Sequence, residues 1–268
     1  MDVVSGLSME GIGPRSISGT SLRASAVSAT HMIVQRAALA LDIAPEEFEA
    51  LEPRTRDGKP FLQIADTLVN GAGFCRRLAD NIDGEPFVVS LIRSMLNSSD
   101  DLFVVDFFEN DHKQNCQRSC YRCIQRYGNR GHHGLLDWRL GLSFLRCLFQ
   151  PDYKVGLDGE FTLYPELQDW HDQAKKIAEN IERLNPGKRS VTTIGPLKLP
   201  VVIDFTDQHA QEAYVVVHPF WDISGNPTEE IRSTLALLRQ YSSVKFVDTF
   251  EANRRLLSAL ENAYQPIL

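Results

Sequence analysis

The spacing of apolar residues divides this chain of 268 residues into two parts with different patterns. In the first part, the alanine-rich segment 21–42 and the segments PFVVSLIRSML and LLDWRLGLSFLRCLF carry apolar residues at helical spacing, and they predict three helices. The segment FLQIADTL alternates between apolar and polar residues, as half-buried strands do. The residues that follow it turn through Gly71 and Gly73 into a further short helix.

From Pro151 onward, predicted strands and helices alternate. SVTTIG, LPVVIDF, AYVVVHPFW and VKFVDTF predict strands, whereas ELQDWHDQAKKIAENIERL, TEEIRSTLALLRQY and EANRRLLSALENAY predict helices. Such alternation is typical of an α/β layer. The pattern therefore predicts an α+β protein, with a flexible lead-in at residues 1–20, a mainly helical domain at 21–150 and a smaller α/β domain at 151–268.

Composition narrows the class of protein. A hydrophobic content of 43% is ordinary for a globular protein, and no apolar run approaches the roughly 20 residues that span a bilayer. The N-terminus lacks the basic start and apolar core of a signal peptide, so we expect a cytoplasmic protein. In that reducing compartment, five cysteines favour metal binding or burial over disulfides.

The net charge of −7 argues against a protein that coats nucleic acid in general. Residues 111–139 are an exception, because they contain six basic and two acidic side chains, which is a local excess of +4. The basic residues are Lys113, Arg118, Arg122, Arg126, Arg130 and Arg139, and the acidic ones are Asp111 and Asp137. Such a patch is either a binding footprint or the solvated face of a helix.

The same stretch contains three cysteines with the spacing C-x3-C-x2-C. On a helix, Cys116, Cys120 and Cys123 would lie within about 60° of each other. Three thiols on one stripe favour a metal ion, and zinc takes four ligands, usually thiolate or imidazole. Candidates for the fourth ligand are Cys75, His112, His132 and His133. The competing interpretations are a buried helix with small apolar thiols and, less well supported, a redox site, since no thioredoxin-like strand precedes CYRC.

The arginines of this stretch have a spacing of their own. Arg118, Arg122, Arg126 and Arg130 recur at every fourth position, so a continuous helix would place them on a ridge away from the thiols. Guanidinium groups match phosphate oxygens in a bidentate manner, and nearby tyrosines could stack on bases. We therefore predict that these four arginines bind nucleic acid, while Trp138 packs against the next helix.

The segments NGAGFC, CQRSCYRC and RYGNRGHHGLLDWRLGL, in this order, resemble the zinc-binding domain at the C-terminus of MrfA-like and DISARM-type bacterial helicases and their associated subunits. The resemblance runs from about Ala24 to Leu148. Proteins of this kind hold a structural zinc ion with four cysteines. By position, the resemblance implies Cys75, Cys116, Cys120 and Cys123 as ligands, with His133 as the substitute for Cys75 to test first.

In such proteins the domain accompanies a helicase motor or a partner subunit. This chain has no G-x-x-x-x-G-K-[ST] phosphate loop and no Asp-Glu-x-His box, so the resemblance implies a non-motor module, either a piece of a helicase or a separate subunit beside one. We expect it to bind DNA or the motor in anti-phage defence or DNA repair, without catalytic activity of its own. The alternatives are a purely structural scaffold for protein interaction, and a nuclease-like hydrolase in the C-terminal α/β part that uses Asp204.

Two further polar segments follow predicted strands. They are HPFWD, with His218, Trp221 and Asp222, and VDTFEANRR, with Asp248, Arg254 and Arg255. Open α/β sheets bind ligands at the ends of their strands. The competing interpretation is that these residues cap helices and close the core.

Overall fold

A computed structural model of the chain describes residues 19–56, 59–68, 70–97, 101–207, 210–223 and 227–265. The chain forms two compact units. The first, here called the helical unit, contains Arg23–Tyr153; the second, here called the α/β unit, contains the chain from Lys154 onward together with the residues just before Arg23. The helices of the first unit and the sheet of the second confirm the predicted α+β class.

Within its described residues, the helical unit contains five helices and two small hairpins. In chain order the elements are α1 (Gly19–Leu41), β1 (Phe48–Arg56), β2 (Lys59–Asp66), α2 (Phe74–Ala79), β3 (Asn81–Ile82), β4 (Glu85–Pro86), α3 (Phe87–Asn97), α4 (Asn110–Asn115) and α5 (Trp138–Phe149). Short 3-10 turns lie at Pro45–Glu47, Val105–Phe108 and Tyr127–His132. The predicted helices and the strand β2 are confirmed. Residues 1–18 of the predicted lead-in lie outside the described residues, and Gly19 already belongs to α1.

Strand β1 was not predicted, and neither were the two-residue strands β3 and β4. β1 pairs antiparallel with β2, with an irregularity between Leu51 and Arg54. Its sequence, FEALEPRTR, mixes charged residues with a proline, which strands usually avoid. The bulge falls around Pro53, where a missing backbone N–H can be accommodated, so pairing with β2 rather than local propensity explains this strand.

Helix α1 lies at the centre of the helical unit. Every residue from Ala24 to Gln35 is buried, on all faces of the helix. Its small side chains allow a close approach of α5, because a Cβ added at Gly141 would lie 2.8 Å from Met32 Sδ and 3.1 Å from Ser28 Cβ. The Ser28 hydroxyl donates to the Ala24 carbonyl and accepts the backbone N–H of Asp137, which caps α5. The start of α5 is therefore fixed to α1.

The α/β unit contains one four-stranded sheet. Its elements are α6 (Trp170–Arg183), β5 (Arg189–Ile194), β6 (Leu199–Asp204), β7 (Glu212–Val217), α7 (Glu229–Leu238), β8 (Ser243–Asp248) and α8 (Thr249–Glu261). The strand order is β5-β6-β7-β8; β5, β6 and β7 are antiparallel, while β7 and β8 are parallel and joined through α7. All four strands and three helices were predicted from the sequence. The clearest signals were those of β6 and β7, which are nearly continuous buried apolar runs. Among the described residues, no helix is both long and apolar enough to cross a bilayer.

The contact between α1 and α5 yields a test of packing. Gly141→Ala should lower the free energy of unfolding by about 1–2 kcal/mol, since overpacking of a core typically costs about 1–3 kcal/mol and outweighs a helix-propensity gain of about 1 kcal/mol. Urea unfolding followed by circular dichroism measures the change. The control is Gly134→Ala, where an added Cβ meets nothing within 4 Å and stability should change by less than about 0.5 kcal/mol. A stabilised Gly141→Ala protein would contradict the tight crossing.

Candidate metal centre

Four side chains of the helical unit converge on one point. The ligand atoms of His112, Cys116, Cys120 and Cys123 all lie within 4.8 Å of one another. Cys123 Sγ is 3.9 Å from both Cys116 Sγ and Cys120 Sγ, and Cys120 Sγ is 3.4 Å from His112 Nε2. In a zinc tetrahedron with Zn–S of about 2.3 Å and Zn–N of about 2.1 Å, two sulphurs are about 3.8 Å apart and sulphur and nitrogen about 3.6 Å apart. The four residues therefore fit a tetrahedral zinc ion.

The thiols converge through a reversal of the chain, and the prediction that they share one helix face is wrong. Helix α4 carries His112 and ends at Asn115, and Cys116 has an extended backbone. A tight turn begins at Cys120, where the Cys120 carbonyl accepts a hydrogen bond from the backbone N–H of Cys123. Residues 116–136, here called the cysteine loop, contain no α-helix. A chain that wraps around an ion must leave helical geometry, which periodicity along the sequence does not reveal.

His112 is oriented by its second ring nitrogen. Its Nδ1–H donates to the Phe107 carbonyl at 3.0 Å, which leaves Nε2 to face the sulphurs. The ring is buried against the rings of Phe107 and Trp138, whose centroids are 5.9 and 5.7 Å away. A backbone carbonyl that fixes the tautomer is a common feature of metal-binding histidines. Trp138 packs in the core against Phe107 and His112, and one side of it lines the metal centre.

The electrostatics of the cluster favour a cation. The hydrogen bond from the Cys116 thiol, followed by the His112 contact, overcomes burial and lowers the pKa of Cys123 to about 4. The pKa of Cys116 is raised, because its thiol donates to the Cys123 sulphur in a buried site. Without an ion, the cluster thus favours one thiolate and opposes a second. A divalent cation removes this conflict, since zinc binds thiolates and stabilises the charge of each.

Cys75 lies outside this group. It is the second residue of α2, where its backbone N–H donates to the Asp66 carboxylate at 2.8 Å. Its Sγ lies 3.6 Å from the Ile64 carbonyl and packs against a hydrophobic cluster that contains Val34. Burial and the nearby carboxylate raise the pKa of Cys75 to about 12, which opposes the thiolate that a metal needs. Of the candidates that the sequence left open, the arrangement favours His112 as the fourth ligand.

The other two histidines serve the fold of the cysteine loop. His132 Nδ1 lies 2.9 Å from Nε2 of His31 in α1. His133 Nε2 lies 2.9 Å from the Arg126 carbonyl and 3.0 Å from the Asn129 side-chain oxygen. Neither belongs to the group of four.

The four predicted nucleic-acid-binding arginines do not form a helical ridge, because the cysteine loop is not a helix. Arg122 donates to the carboxylates of Glu109 at 2.8 Å and Asp111 at 2.7 Å, so its charge is compensated. Arg126 donates to the carbonyls of Gln125 at 2.7 Å, Cys123 at 3.1 Å and Tyr121 at 3.3 Å. These two side chains fasten the cysteine loop to α4 and to itself.

The remaining two arginines are less constrained. Arg118 makes a 3.3 Å hydrogen bond to the Gly134 carbonyl. Arg130 is exposed; it donates to the Tyr127 hydroxyl at 2.9 Å and lies 4.9 Å from the centre of that ring. Both guanidinium groups have donors to spare for another partner, since each carries five N–H groups.

Arg139 is a further structural arginine, and the spacing of the basic residues did not reveal this role. Arg139, in the first turn of α5, is 6% exposed and donates to the carbonyls of Cys116, Gln117 and Lys113 at 2.9, 3.2 and 3.2 Å. It therefore ties α5 to the chain segment that carries the first thiol ligand. The available signal was its position within an apolar helix, where a charged residue needs buried partners.

The zinc content of variants shows whether His112 or Cys75 is the fourth ligand. We expect about one zinc ion per purified chain, and we expect Cys120→Ser and His112→Ala to lose it, because each removes one of four converging ligand atoms. The matched control is Cys75→Ser, which should keep zinc, as should Cys147→Ser in the buried part of α5. Elemental analysis after dialysis against a weak chelator measures the result. Retention of zinc by His112→Ala with loss by Cys75→Ser would reverse the assignment.

The contact between α1 and the cysteine loop predicts a pH dependence. Burial, followed by the charge of His132, lowers the pKa of His31 to about 4, against about 6.5 in an unfolded chain. The unfolded state therefore binds a proton first, so stability is full above about pH 6.5 and falls as the pH drops towards 4, by up to about 3 kcal/mol. The control is His31→Gln, which cannot titrate and should flatten the difference in melting temperature between pH 7.5 and 5. Equal slopes for both proteins would contradict the shift.

Comparison with known proteins agrees with this geometry. The family described as "MZB: MrfA Zn-binding domain" matches residues 29–124, a little over a third of the chain. Comparisons with curated proteins and with solved structures found no significant match. The matched range contains His112 and the three clustered cysteines, and together they support zinc as the cofactor. The match over residues 29–124 confirms the resemblance of this part of the chain to MrfA-type zinc-binding domains.

Proposed function

We propose that this chain is a non-motor module or subunit of a helicase system in the cytoplasm, in which a zinc-organised loop binds DNA in anti-phage defence or DNA repair. His112, Cys116, Cys120 and Cys123 would hold the ion. The set is closed, since four protein ligands leave no position for substrate, which is typical of structural zinc. The ion would therefore supply rigidity to the cysteine loop and no reaction step.

The observation that carries the DNA proposal is the outer surface of the cysteine loop. The side chains of Tyr121 and Tyr127 are 64% and 74% exposed. Rings this exposed gain little from the fold, whereas base stacking on an aromatic side chain contributes about 1–3 kcal/mol per base. Arg130 lies against Tyr127, and Arg118 belongs to the same loop. Exposed rings interleaved with guanidinium groups are typical of surfaces that bind single-stranded nucleic acid.

The four arginines would contribute differently. Arg118 and Arg130 have spare donors for phosphate oxygens. The Arg126 guanidinium donates to backbone carbonyls of the cysteine loop, so its main role would be to hold the tyrosines in place. Arg122 is flanked by Glu109 and Asp111, so a phosphate would have to displace two carboxylates. We therefore place most of the DNA affinity in Arg118, Arg130 and the two tyrosines.

The nuclease-like alternative finds little support in the α/β unit. Asp204 accepts the Arg189 guanidinium at 2.6 Å and the Thr206 backbone N–H at 2.9 Å. Its carboxylate is thus already engaged. Within the part of the chain that the structure describes, the group of side chains close enough to hold a metal is the His112 cluster.

Salt-dependent DNA binding tests the proposal. We expect a labelled single-stranded oligonucleotide to bind at low salt and weaken as salt rises, with the slope of log K against log salt reduced by about 0.7 for Arg130→Gln, because one phosphate contact is lost. Tyr127→Ala should weaken binding by about 1–3 kcal/mol, whereas Tyr127→Phe keeps the ring and should bind nearly as the wild type does. Arg239→Gln, an exposed arginine of the α/β unit, is the matched charge control.

Two results would decide against DNA. The absence of binding at low salt by the zinc-loaded protein rejects the nucleic-acid role. If the protein then binds a helicase motor subunit, and Arg130→Gln weakens that complex, the cysteine loop is an interaction scaffold. Equal losses for Arg130→Gln and Arg239→Gln would show general charge attraction without a defined surface.

A further inference from the structure

The α/β unit contains a cavity of about 610 Å³ at the carboxyl ends of its two parallel strands. Val217 is the last residue of β7 and Asp248 the last residue of β8, and both line the cavity. Helix α8 forms one wall, and the segment after it, which bridges back to β8 through Tyr264 and Phe246, forms another. Its volume lies in the range of about 300–1,000 Å³ typical of small-molecule sites.

The cavity lies at the carboxyl ends of the parallel strand pair of the sheet. β7 and β8 are parallel and joined through α7, whereas β6 on the other side of β7 is antiparallel. Open α/β sheets bind ligands in a crevice outside the carboxyl ends of their parallel strands. The cavity occupies this crevice, which places the segment VDTFEANRR, identified in the sequence as a polar strand end, in its wall.

Most of the charge in the wall is already compensated. Asp248 is buried; its carboxylate accepts the Glu251 backbone N–H at 2.7 Å and the Ser21 hydroxyl at 3.2 Å, and burial raises its pKa to about 6. Arg254 lies 3.6 Å from the Glu251 carboxylate and 5.3 Å from the centre of the Phe250 ring. The two carboxylates and the Arg254 guanidinium together leave one negative charge, which the guanidinium of Arg255 offsets.

Arg255 differs from its neighbours. The helical geometry of α8 is interrupted at this residue, with φ −149° and ψ 75°. Its side chain is exposed at the cavity and, among the described residues, makes no hydrogen bond or ion pair. A guanidinium with all its donors available favours a phosphate, which it can bind in a bidentate manner.

The rest of the wall contains both polar and apolar side chains. Thr20, Ser258 and Asn262 are polar, and Val217, Ile223 and Phe246 are almost fully buried, so the ring of Tyr264, which is 38% exposed, provides the aromatic surface. Such a wall suits a flat, weakly polar group next to the anion. A nucleobase attached to a phosphate has this combination of properties.

We propose that the cavity bounded by Val217, Asp248, Arg255 and Tyr264 binds one nucleotide unit, with its phosphate on Arg255 and its base against the ring of Tyr264. The nucleotide is either free in solution or the terminal unit of a nucleic-acid strand, because both present the same phosphate and base. The proposal concerns the α/β unit alone, so it stands or falls independently of the zinc-organised loop.

Calorimetric titration of the full, zinc-loaded chain tests the site. The probes are AMP and UMP, the nucleoside adenosine, inorganic phosphate, and a tetranucleotide with and without a 5′-phosphate. We expect a nucleoside monophosphate or the 5′-phosphorylated tetranucleotide to bind at least tenfold more tightly than adenosine or phosphate alone, since a charge-assisted arginine contact is worth about 1.5–3 kcal/mol. Binding of the monophosphate identifies a free nucleotide, and binding of the phosphorylated tetranucleotide alone identifies a strand end.

Three variants make the result specific. Arg255→Gln should lower the affinity about tenfold, and Ala259→Leu should lower it by filling the wall while every charge is kept. Arg239→Gln, which removes an exposed arginine outside the cavity, should bind as the wild type does. Equal affinity of Arg255→Gln and wild type, equal affinity for adenosine and AMP, or no binding of any probe would each overturn the proposal. Binding that Tyr127→Ala abolishes and Arg255→Gln leaves unchanged would assign the nucleotide to the cysteine loop instead.

Discussion

The convergence of one imidazole and three thiols is the constraint on which the cysteine loop depends. The stretch between α4 and α5 has few buried apolar side chains of its own: Ile124 and Leu136 are the large aliphatic residues buried there. A segment with so little apolar surface cannot offset the entropy of ordering about 20 residues by burial alone. A divalent ion bound by Cys120, Cys123 and His112 would cross-link both ends of the turn to α4. Because apolar burial does not supply this stabilisation, the ion would be part of the fold.

Polar side chains also stabilise the cysteine loop, through hydrogen bonds to its backbone. Backbone carbonyls of the cysteine loop accept hydrogen bonds from Gln35 in α1, from Arg139 in α5 and from Arg126 within the loop. Buried carbonyls without partners are costly, and a loop that turns around an ion has many of them. The density of arginine in this stretch therefore has a structural explanation. Only the side chains with spare donors, chiefly Arg118 and Arg130, are left for recognition.

The sequence predicted the elements that local patterns determine and missed those that depend on distant partners. The strands of the α/β unit were predictable because β6 is buried along its whole length and reads as a continuous apolar run. The strand β1 was not, since its pairing with β2 overrides its poor propensity. Within the site, the spacing of three cysteines predicted zinc, whereas the extended backbone after Asn115 and the carboxylates beside Arg122 could not be seen in a periodic pattern. The resemblance supplied Cys75 by position, and the choice of His112 needed the fold.

The choice between Cys75 and His112 also follows from the chain itself. The set from His112 to Cys123 spans 12 positions, so the ion closes only short loops. A ligand at Cys75 would instead close a loop about four times longer, at an additional entropic cost of about 1 kcal/mol, and would need a thiol whose pKa burial has raised to about 12. A local ligand set lets the cysteine loop fold around its ion without disturbing α2 and the hairpin beneath it.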